Sequence, residues 1–136
     1  MGQVTRFMLD TNTASSLLKG EPKVVARVAA TPPELICLSA VTSGEILYGV
    51  AKRPEAKKLR ATVDELLSAI EILPWTGATA QRYGTIRAEL ERRGRPLSAL
   101  DLMIAAHAVE HDAVLATSDR AFRLVPALRV EDWTDA

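Results

Sequence analysis

The sequence has one cysteine, few aromatic residues, no net charge and no long hydrophobic run. Each of these features excludes or disfavours some classes of protein. Cys37 is its one cysteine, so no disulfide can form within the chain. The 17 Lys and Arg residues equal the 17 Asp and Glu residues, so a nucleic-acid or membrane partner would need a local basic patch. Two residues each of Phe, Tyr and Trp leave few rings for stacking on bases. No hydrophobic run is long enough to span a membrane.

What the sequence does contain is typical of an ordinary globular domain. Its 136 residues are 48 % hydrophobic and 25 % charged, which predicts a single domain over residues 1–136. Cys37 lies in the apolar run 35–38 and is interpreted as a core residue rather than a nucleophile. The apolar run 7–9 is too short for a signal peptide, so we expect a cytoplasmic protein.

Short apolar runs alternate with helical patterns along the chain. Such alternation is typical of an α/β domain with a mainly parallel central β-sheet flanked by α-helices. The predicted strands are residues 6–9, 34–39, 71–75, 113–117 and 128–130. The predicted helices begin near residues 11, 22, 43, 54, 80 and 98, with a further short helix around residue 122. Thr42 or Ser43 is the expected cap of the third helix.

The helix predicted after residue 98 has an unusual composition. Residues 97–106 are apolar on nearly every side, so this helix should be packed around most of its circumference. Its first turn nevertheless carries a carboxylate, Asp101, and ionised carboxylates are costly to bury unless they are paired or bind a metal. Asp101 could instead help to cap the helix, although Ser98 is better placed to do so.

Four acids are predicted to lie near one edge of the sheet, where ligands bind in parallel α/β folds. They are Asp10, Glu45, Asp101 and Asp119. Taken singly, each could be a helix cap, a turn residue or a solvated acid. Together their charges repel one another unless a divalent cation is bound, and oxygen ligands suit Mg²⁺ or Mn²⁺. Such a cation can activate water and stabilise charge during phosphodiester hydrolysis.

Other polar residues could support this chemistry. Asn12 and Thr117 could orient a water molecule or a carboxylate from outside the metal shell. Two basic clusters could contact phosphates of a nucleic acid or could be solvated helix faces, and Arg95 is the preferred phosphate contact. The first cluster is Lys52, Arg53, Lys57, Lys58 and Arg60, and the second is Arg92, Arg93 and Arg95.

The order and spacing of five motifs resemble the PIN-domain ribonucleases that are toxins of VapBC-type toxin–antitoxin pairs. The motifs are MLDTN at 8–12, EILYG at 45–49, DLMIAAHA at 101–108, TSD at 117–119 and VEDW at 130–133. The resemblance covers almost the whole chain and implies one PIN domain. It implies that the family's four catalytic acids are Asp10, Glu45, Asp101 and Asp119. It also implies Mg²⁺ or Mn²⁺ held chiefly by Asp10 and Asp101.

The same resemblance implies a set of partners and products. They are an RNA substrate cleaved to a 5′-phosphate and a 3′-hydroxyl, a cognate VapB-type antitoxin, a second copy of the chain in a homodimer, and operator DNA bound only through the antitoxin. The antitoxin would place a basic side chain in the acidic pocket. Leu100 and Ser118 depart from residues common in relatives, but neither change removes an acid.

Three alternatives rest on other patterns. Asp10-Thr11-Asn12-Thr13 is similar to the start of haloacid dehalogenase-type phosphatases, but Asn12 cannot replace their general acid. A PIN fold could also be a catalytically silent interaction module. His107 to His111 has the H-x-x-E-H form of a zinc protease motif, yet both histidines point away from Asp101, and we expect two partly exposed helix residues.

Overall fold

The computed structural model describes residues 4–94 and 97–135, and its centre is a five-stranded, all-parallel sheet. The strands follow the apolar runs because a parallel sheet covered on both faces buries nearly every strand residue. The order across the sheet is β3-β2-β1-β4-β5. The strands are β1 (Phe7–Leu9), β2 (Ile36–Ser39), β3 (Glu71–Leu73), β4 (Val114–Ala116) and β5 (Arg129–Glu131). The predicted α/β fold is confirmed.

In residues 4–94 and 97–135, six α-helices connect and cover the strands. They are α1 (Thr11–Leu18), α2 (Pro22–Ala29), α3 (Ala40–Ala51), α4 (Lys57–Ala69), α5 (Gly77–Arg92) and α6 (Ala99–Glu110). Short 3₁₀ helices span Pro33–Leu35 and Arg120–Leu124. Ser98 caps α6 as predicted, since its hydroxyl accepts a hydrogen bond from Asp101 N at 3.1 Å. Within the described ranges, no helix has the length and apolar character needed to cross a membrane.

The sheet separates two apolar cores because successive strand residues point to opposite faces. Met8, Cys37 and Leu115 belong to one core, whereas Leu9 and Leu38 belong to the other. Helices α5 and α6 pack on the first face, and α1, α2 and α4 pack on the second. Burial raises the pKa of the Cys37 thiol to about 11, so the thiol stays protonated and unreactive, as expected of a core residue.

Several predicted boundaries are wrong, among them the start of α5, which lies at Gly77 rather than near residue 80. Ser39 at the end of β2 caps α3 by accepting a hydrogen bond from Val41 N at 3.0 Å, and the expected caps Thr42 and Ser43 are buried inside the helix. Residues 34 and 35 form a 3₁₀ turn rather than the start of β2, because Pro33 fixes a turn conformation there. Helix α4 begins at Lys57, later than predicted.

The strand order places a ligand-binding crevice between β1 and β4. The chain runs outward in one direction from β1 to β2 and β3, and in the other direction through β4 to β5. Ligands bind at such a reversal, beyond the carboxyl ends of the strands. Leu9 pairs with Ala116, and Asp10 N donates a hydrogen bond to Ala116 O at 3.1 Å. Asp10 and Thr117 therefore leave the sheet side by side at this crevice.

Candidate active site

Asp10 is held rigidly where β1 ends. It is 3 % exposed, and its carboxylate caps α1 by accepting a hydrogen bond from Thr13 N at 2.8 Å. Thr13 Oγ1 in turn donates to Ala116 O at 2.9 Å, which ties the start of α1 to the end of β4. The sequence analysis gave Thr13 no role, although a threonine three residues after a capping acid is a recognisable helix start.

Asp101 lies in the first turn of α6 and is partly buried. Burial raises the pKa of its carboxyl group above the ordinary value of 3.8, and the negative charges of Asp119 and Asp10 raise it further. A hydrogen bond with Ser98 opposes the shift. The structure thus brings Asp10, Asp101 and Asp119 close enough to repel one another, as expected from the sequence.

Asp119 is fixed by the loop that follows β4. Its carboxylate caps the short helix Arg120–Leu124 by accepting a hydrogen bond from Ala121 N at 2.9 Å. Buried Thr117 accepts a hydrogen bond from Asp119 N at 3.0 Å and so orients this acid through its backbone. A cavity of about 150 Å³ adjoins them, lined by Thr117, Ser118, Asp119, Arg120, Arg123, Asp132 and Asp135. Sequence reasoning assigned no role to Asp132, although it lies within a recognised motif.

Glu45 occupies a different position from the other three acids. It lies in the second turn of α3 and lines a cavity of about 420 Å³ together with Thr11, the residue after Asp10. The neighbouring charges that raise the pKa of Asp101 come from Asp119 and Asp10. Glu45 lines a cavity that reaches the start of α1, where Thr11 follows Asp10. Asn12 is exposed in the first turn of α1.

Basic residues of the first cluster line this cavity. Lys52 and Arg53 line it, and so does Lys19, which sequence reasoning missed because it stands alone between Leu18 and Gly20. We name Lys19, Lys52 and Arg53 the basic rim. One acid, Glu45, and the three basic side chains of the basic rim therefore line the same cavity.

The second basic cluster is largely engaged within its own helix. Arg92 and Arg93 both form ion pairs with Glu89 on α5. Charges that are already paired are less available to bind phosphate. Arg95, the preferred phosphate contact from sequence, lies outside the described residues.

The prediction of two partly exposed histidines is wrong for one of them. His107 is fully buried, because α6 packs its last turns against α5 and the end of β2. His111, one turn later, keeps 31 % of its side chain exposed.

We name Asp10, Asp101 and Asp119 the acidic group. This group suits a hard divalent cation. Its three carboxylates provide oxygen ligands only, which is the donor set that Mg²⁺ and Mn²⁺ prefer. Asp10 is held by α1, Asp101 by α6 and Asp119 by the loop after β4, and the charges of Asp119 and Asp10 act on Asp101. Such a site can bind a phosphate group through a cation and does not need a covalent nucleophile.

Comparison with known proteins gives concordant matches over nearly the whole chain. The PIN domain family model matches residues 7–128. A Shigella flexneri protein named tRNA(fMet)-specific endonuclease VapC is 37 % identical over 130 residues, covering 95 % of this chain and 98 % of that protein. A Salmonella typhimurium protein of the same name is 36 % identical over 129 residues, covering 94 % and 98 %. The crystal structure of DNA-bound VapBC from Salmonella typhimurium superposes with a TM-score of 0.89 at 36 % identity, covering 96 % of this chain and 99 % of that chain.

Proposed function

The chain belongs to the PIN domain family, and on that premise we propose that it is an endoribonuclease, the toxin of a VapBC-type toxin–antitoxin pair. The observation that carries the proposal is the convergence of Asp10, Asp101 and Asp119 at the crevice between β1 and β4. The site lies where the fold binds ligands, and relatives of the same length are named as endonucleases. Cleavage of RNA phosphodiester bonds is the reaction that these features support best.

We propose that the reaction depends on Mg²⁺ or Mn²⁺ held by Asp10 and Asp101. When bound, such a cation neutralises charge at the scissile phosphate and lowers the pKa of water. Asp119 and Glu45 are the other catalytic acids in this proposal. Thr117 would support Asp119 through the hydrogen bond at its backbone, and in this proposal Asn12, exposed in the first turn of α1, orients water.

We propose transfer RNA as the substrate class, because the two most similar relatives described above are named tRNA(fMet)-specific endonucleases. The test incubates the purified protein with single transcribed tRNAs and with structured RNAs of other classes, followed by mapping of the cut sites. We expect internal cleavage of at least one tRNA. Cleavage of the other RNAs alone would contradict the substrate class, and cleavage of none would contradict the nuclease.

The basic rim is positioned to hold the RNA backbone beside the acids. Replacing two of its exposed charges, Lys19→Gln with Arg53→Gln, should raise KM for RNA roughly 10-fold with little change in kcat, because phosphate contacts bind ground state and transition state alike. The salt dependence of KM should also become shallower. Steady-state cleavage at two salt concentrations measures both effects.

The chain offers a matched control for this charge change. Arg92→Gln with Arg93→Gln removes the same two positive charges from α5, where both residues are paired with Glu89. This control should cleave RNA like the parent protein. Equal losses in both double variants would show that overall charge, rather than the basic rim, attracts the RNA.

We propose that a VapB-type antitoxin inhibits the site. The similar Salmonella structure is a VapBC complex bound to DNA, which supports a partner of this kind and contact with operator DNA through that partner. An antitoxin arginine could pair with Asp10 or Asp101 and replace the charge of the cation. We also propose that the chain forms a homodimer and that it acts in the cytoplasm, where RNA and a newly made antitoxin are available.

Co-expression tests the partner proposal. The product of the adjacent upstream reading frame should copurify with the chain, and the complex should cleave RNA far more slowly than the free toxin. Removing the partner by denaturation and refolding should restore cleavage. A neighbour that does not bind would contradict the antitoxin proposal and leave the nuclease proposal intact.

The alternatives from sequence have less support. A haloacid dehalogenase-like phosphatase is excluded by membership of the PIN domain family. A silent interaction module would have no need for three carboxylates in mutual repulsion, since like charges brought together in a partly buried site destabilise the fold. The tRNA assay separates the silent module from the nuclease.

A further inference from the structure

The last turn of α6 gathers three side chains with metal-binding atoms. His107, Glu110 and His111 each offer one ligand atom, and these three atoms lie within 4.8 Å of one another. Each helix residue is rotated by about 100° from the one before it. Positions 107, 110 and 111 therefore fall within an arc of roughly 100° and share one face of α6. The nuclease proposal uses none of these residues.

His107 is fully buried, and one of its ring nitrogens lacks a partner. Nδ1 hydrogen-bonds with Ser39 Oγ at 2.8 Å, at the end of β2. Nε2 forms no hydrogen bond with any residue in the described part of the chain. A buried polar atom without a partner is unfavourable and uncommon, so its presence beside two other metal-binding side chains points to a ligand.

Burial lowers the pKa of His107 and the neighbouring His111 lowers it further, whereas Glu110 and the Pro74 carbonyl oppose the shift. The neutral form of imidazole is the form that binds metals.

Outer hydrogen bonds hold two of the three side chains. Thr79 Oγ1, at the start of α5, donates to Glu110 Oε1 at 2.6 Å, and Ser39 orients the His107 ring. Metal ligands in proteins are commonly fixed by such partners. His111 Nε2 lies 3.5 Å from Glu110 Oε1, close to the spacing of roughly 3.4 Å between two ligands of tetrahedral zinc.

We propose that His107, Glu110 and His111 form a Zn²⁺ site, completed by water. Two imidazoles and one carboxylate are a donor set that zinc binds tetrahedrally, whereas Mg²⁺ prefers oxygen ligands. The site can be reached from solvent, because Glu110 and His111 line a cavity of about 530 Å³. Their side chains are 17 % and 31 % exposed, which leaves room for the water.

The zinc site is separate from the acidic group. Asp101 lies in the first turn of α6 and the zinc ligands at its other end, roughly 9–15 Å away along the helix axis. Through Ser39 and Thr79 the ligands connect α6 to β2 and α5. Bound zinc would therefore fix the helix that carries Asp101.

Zinc binding can be measured without any RNA. We use the Asp101→Asn protein, in which the acidic group has lost one ligand, and titrate Zn²⁺ by calorimetry. One Zn²⁺ per chain is expected, and His111→Gln or Glu110→Gln in the same background should weaken binding at least roughly 10- to 100-fold. Circular dichroism checks that each variant is folded. Co²⁺ bound to the parent site should show the strong visible absorption of tetrahedral nitrogen ligation, which does not depend on any variant.

Asp112→Asn is the matched control. Asp112 adjoins His111 and has a positive φ of 51°, a conformation that asparagine tolerates. The exposed Asp112 carboxylate pairs with Arg129, and its removal should leave zinc binding unchanged. Zinc affinity in the control should equal that of the Asp101→Asn protein. Absence of zinc binding in the Asp101→Asn protein, or unchanged affinity after His111→Gln, would overturn the proposal.

Discussion

Asp101→Asn is expected to reduce RNA cleavage at least roughly 100-fold, because the carboxylate is a proposed metal ligand. In metal-free buffer the variant should be as stable as the parent, or more stable by about 1 kcal/mol after allowance for solvent screening. The reason is that burial and the charges of Asp119 and Asp10 raise the pKa of Asp101. At neutral pH the folded parent therefore carries an ionised group that is unfavourable where it lies.

The pH dependence of the unfolding free energy shows whether the ionised Asp101 carboxylate stabilises or destabilises the fold. A carboxyl group whose pKa is raised by folding stabilises the folded state only while it is protonated, and that stabilisation is lost as pH rises through the folded pKa. The difference in unfolding free energy between Asp101→Asn and the parent should therefore shrink as pH falls toward 3.8, the ordinary value for aspartate. Denaturant titrations of both proteins at several pH values measure this difference in unfolding free energy.

Added Mg²⁺ separates a metal ligand from a helix cap. The parent should gain thermal stability from Mg²⁺ by mass action, and Asp101→Asn should lose most of that gain. A cap would behave differently, because its removal costs roughly 1 kcal/mol with or without metal. A variant that melts lower in chelator and gains fully from Mg²⁺ would show that Asp101 is not a ligand.

Replacement of Asp10 should separate its role as the cap of α1 from its proposed role as a metal ligand. Asp10→Ala should lower the unfolding free energy by about 1–2 kcal/mol, because it removes the cap bond to Thr13 N. Asp10→Asn should retain most of that stability, since asparagine caps helices about as well as aspartate. Both variants should lose RNA cleavage at least roughly 100-fold, because neither side chain is a carboxylate.

Denaturant unfolding and initial cleavage rates measured on the same preparations test this pair. Thr85→Ala is a suitable control, since Thr85 is exposed on α5 and its hydroxyl donates to Gln81 O of the same helix. An active Asp10→Asn protein would show that Asp10 serves only as a cap. Equal stability of the Ala and Asn variants would show instead that the cap bond contributes little.

The fold was predictable because its signals are local. Apolar runs such as 7–9 and 114–116 mark buried parallel strands, and Ser98 marks the start of α6. The wrong cap of α3 shows the limit of local reasoning. Ser39, Thr42 and Ser43 can all cap a helix, and the choice depends on where β2 stops pairing with its neighbours.

The site was predictable only in part, for reasons of tertiary structure. Asp10, Asp101 and Asp119 follow strand ends or helix starts, so the topology places them together. The burial of His107 depends on α5 and β2, which sequence spacing does not reveal. The same is true of Lys19, which reaches the basic rim because α1 and α3 share a cavity.

Cleavage of a tRNA with and without chelator, followed by analysis of the product ends, tests the central claim most directly. We expect cleavage by the purified protein to stop in EDTA and to return with excess Mg²⁺ or Mn²⁺. The products should carry a 5′-phosphate and a 3′-hydroxyl, since the three acids are proposed to hold a cation for attack by water. Cleavage that persists in chelator, or products that end in a 2′,3′-cyclic phosphate, would contradict it.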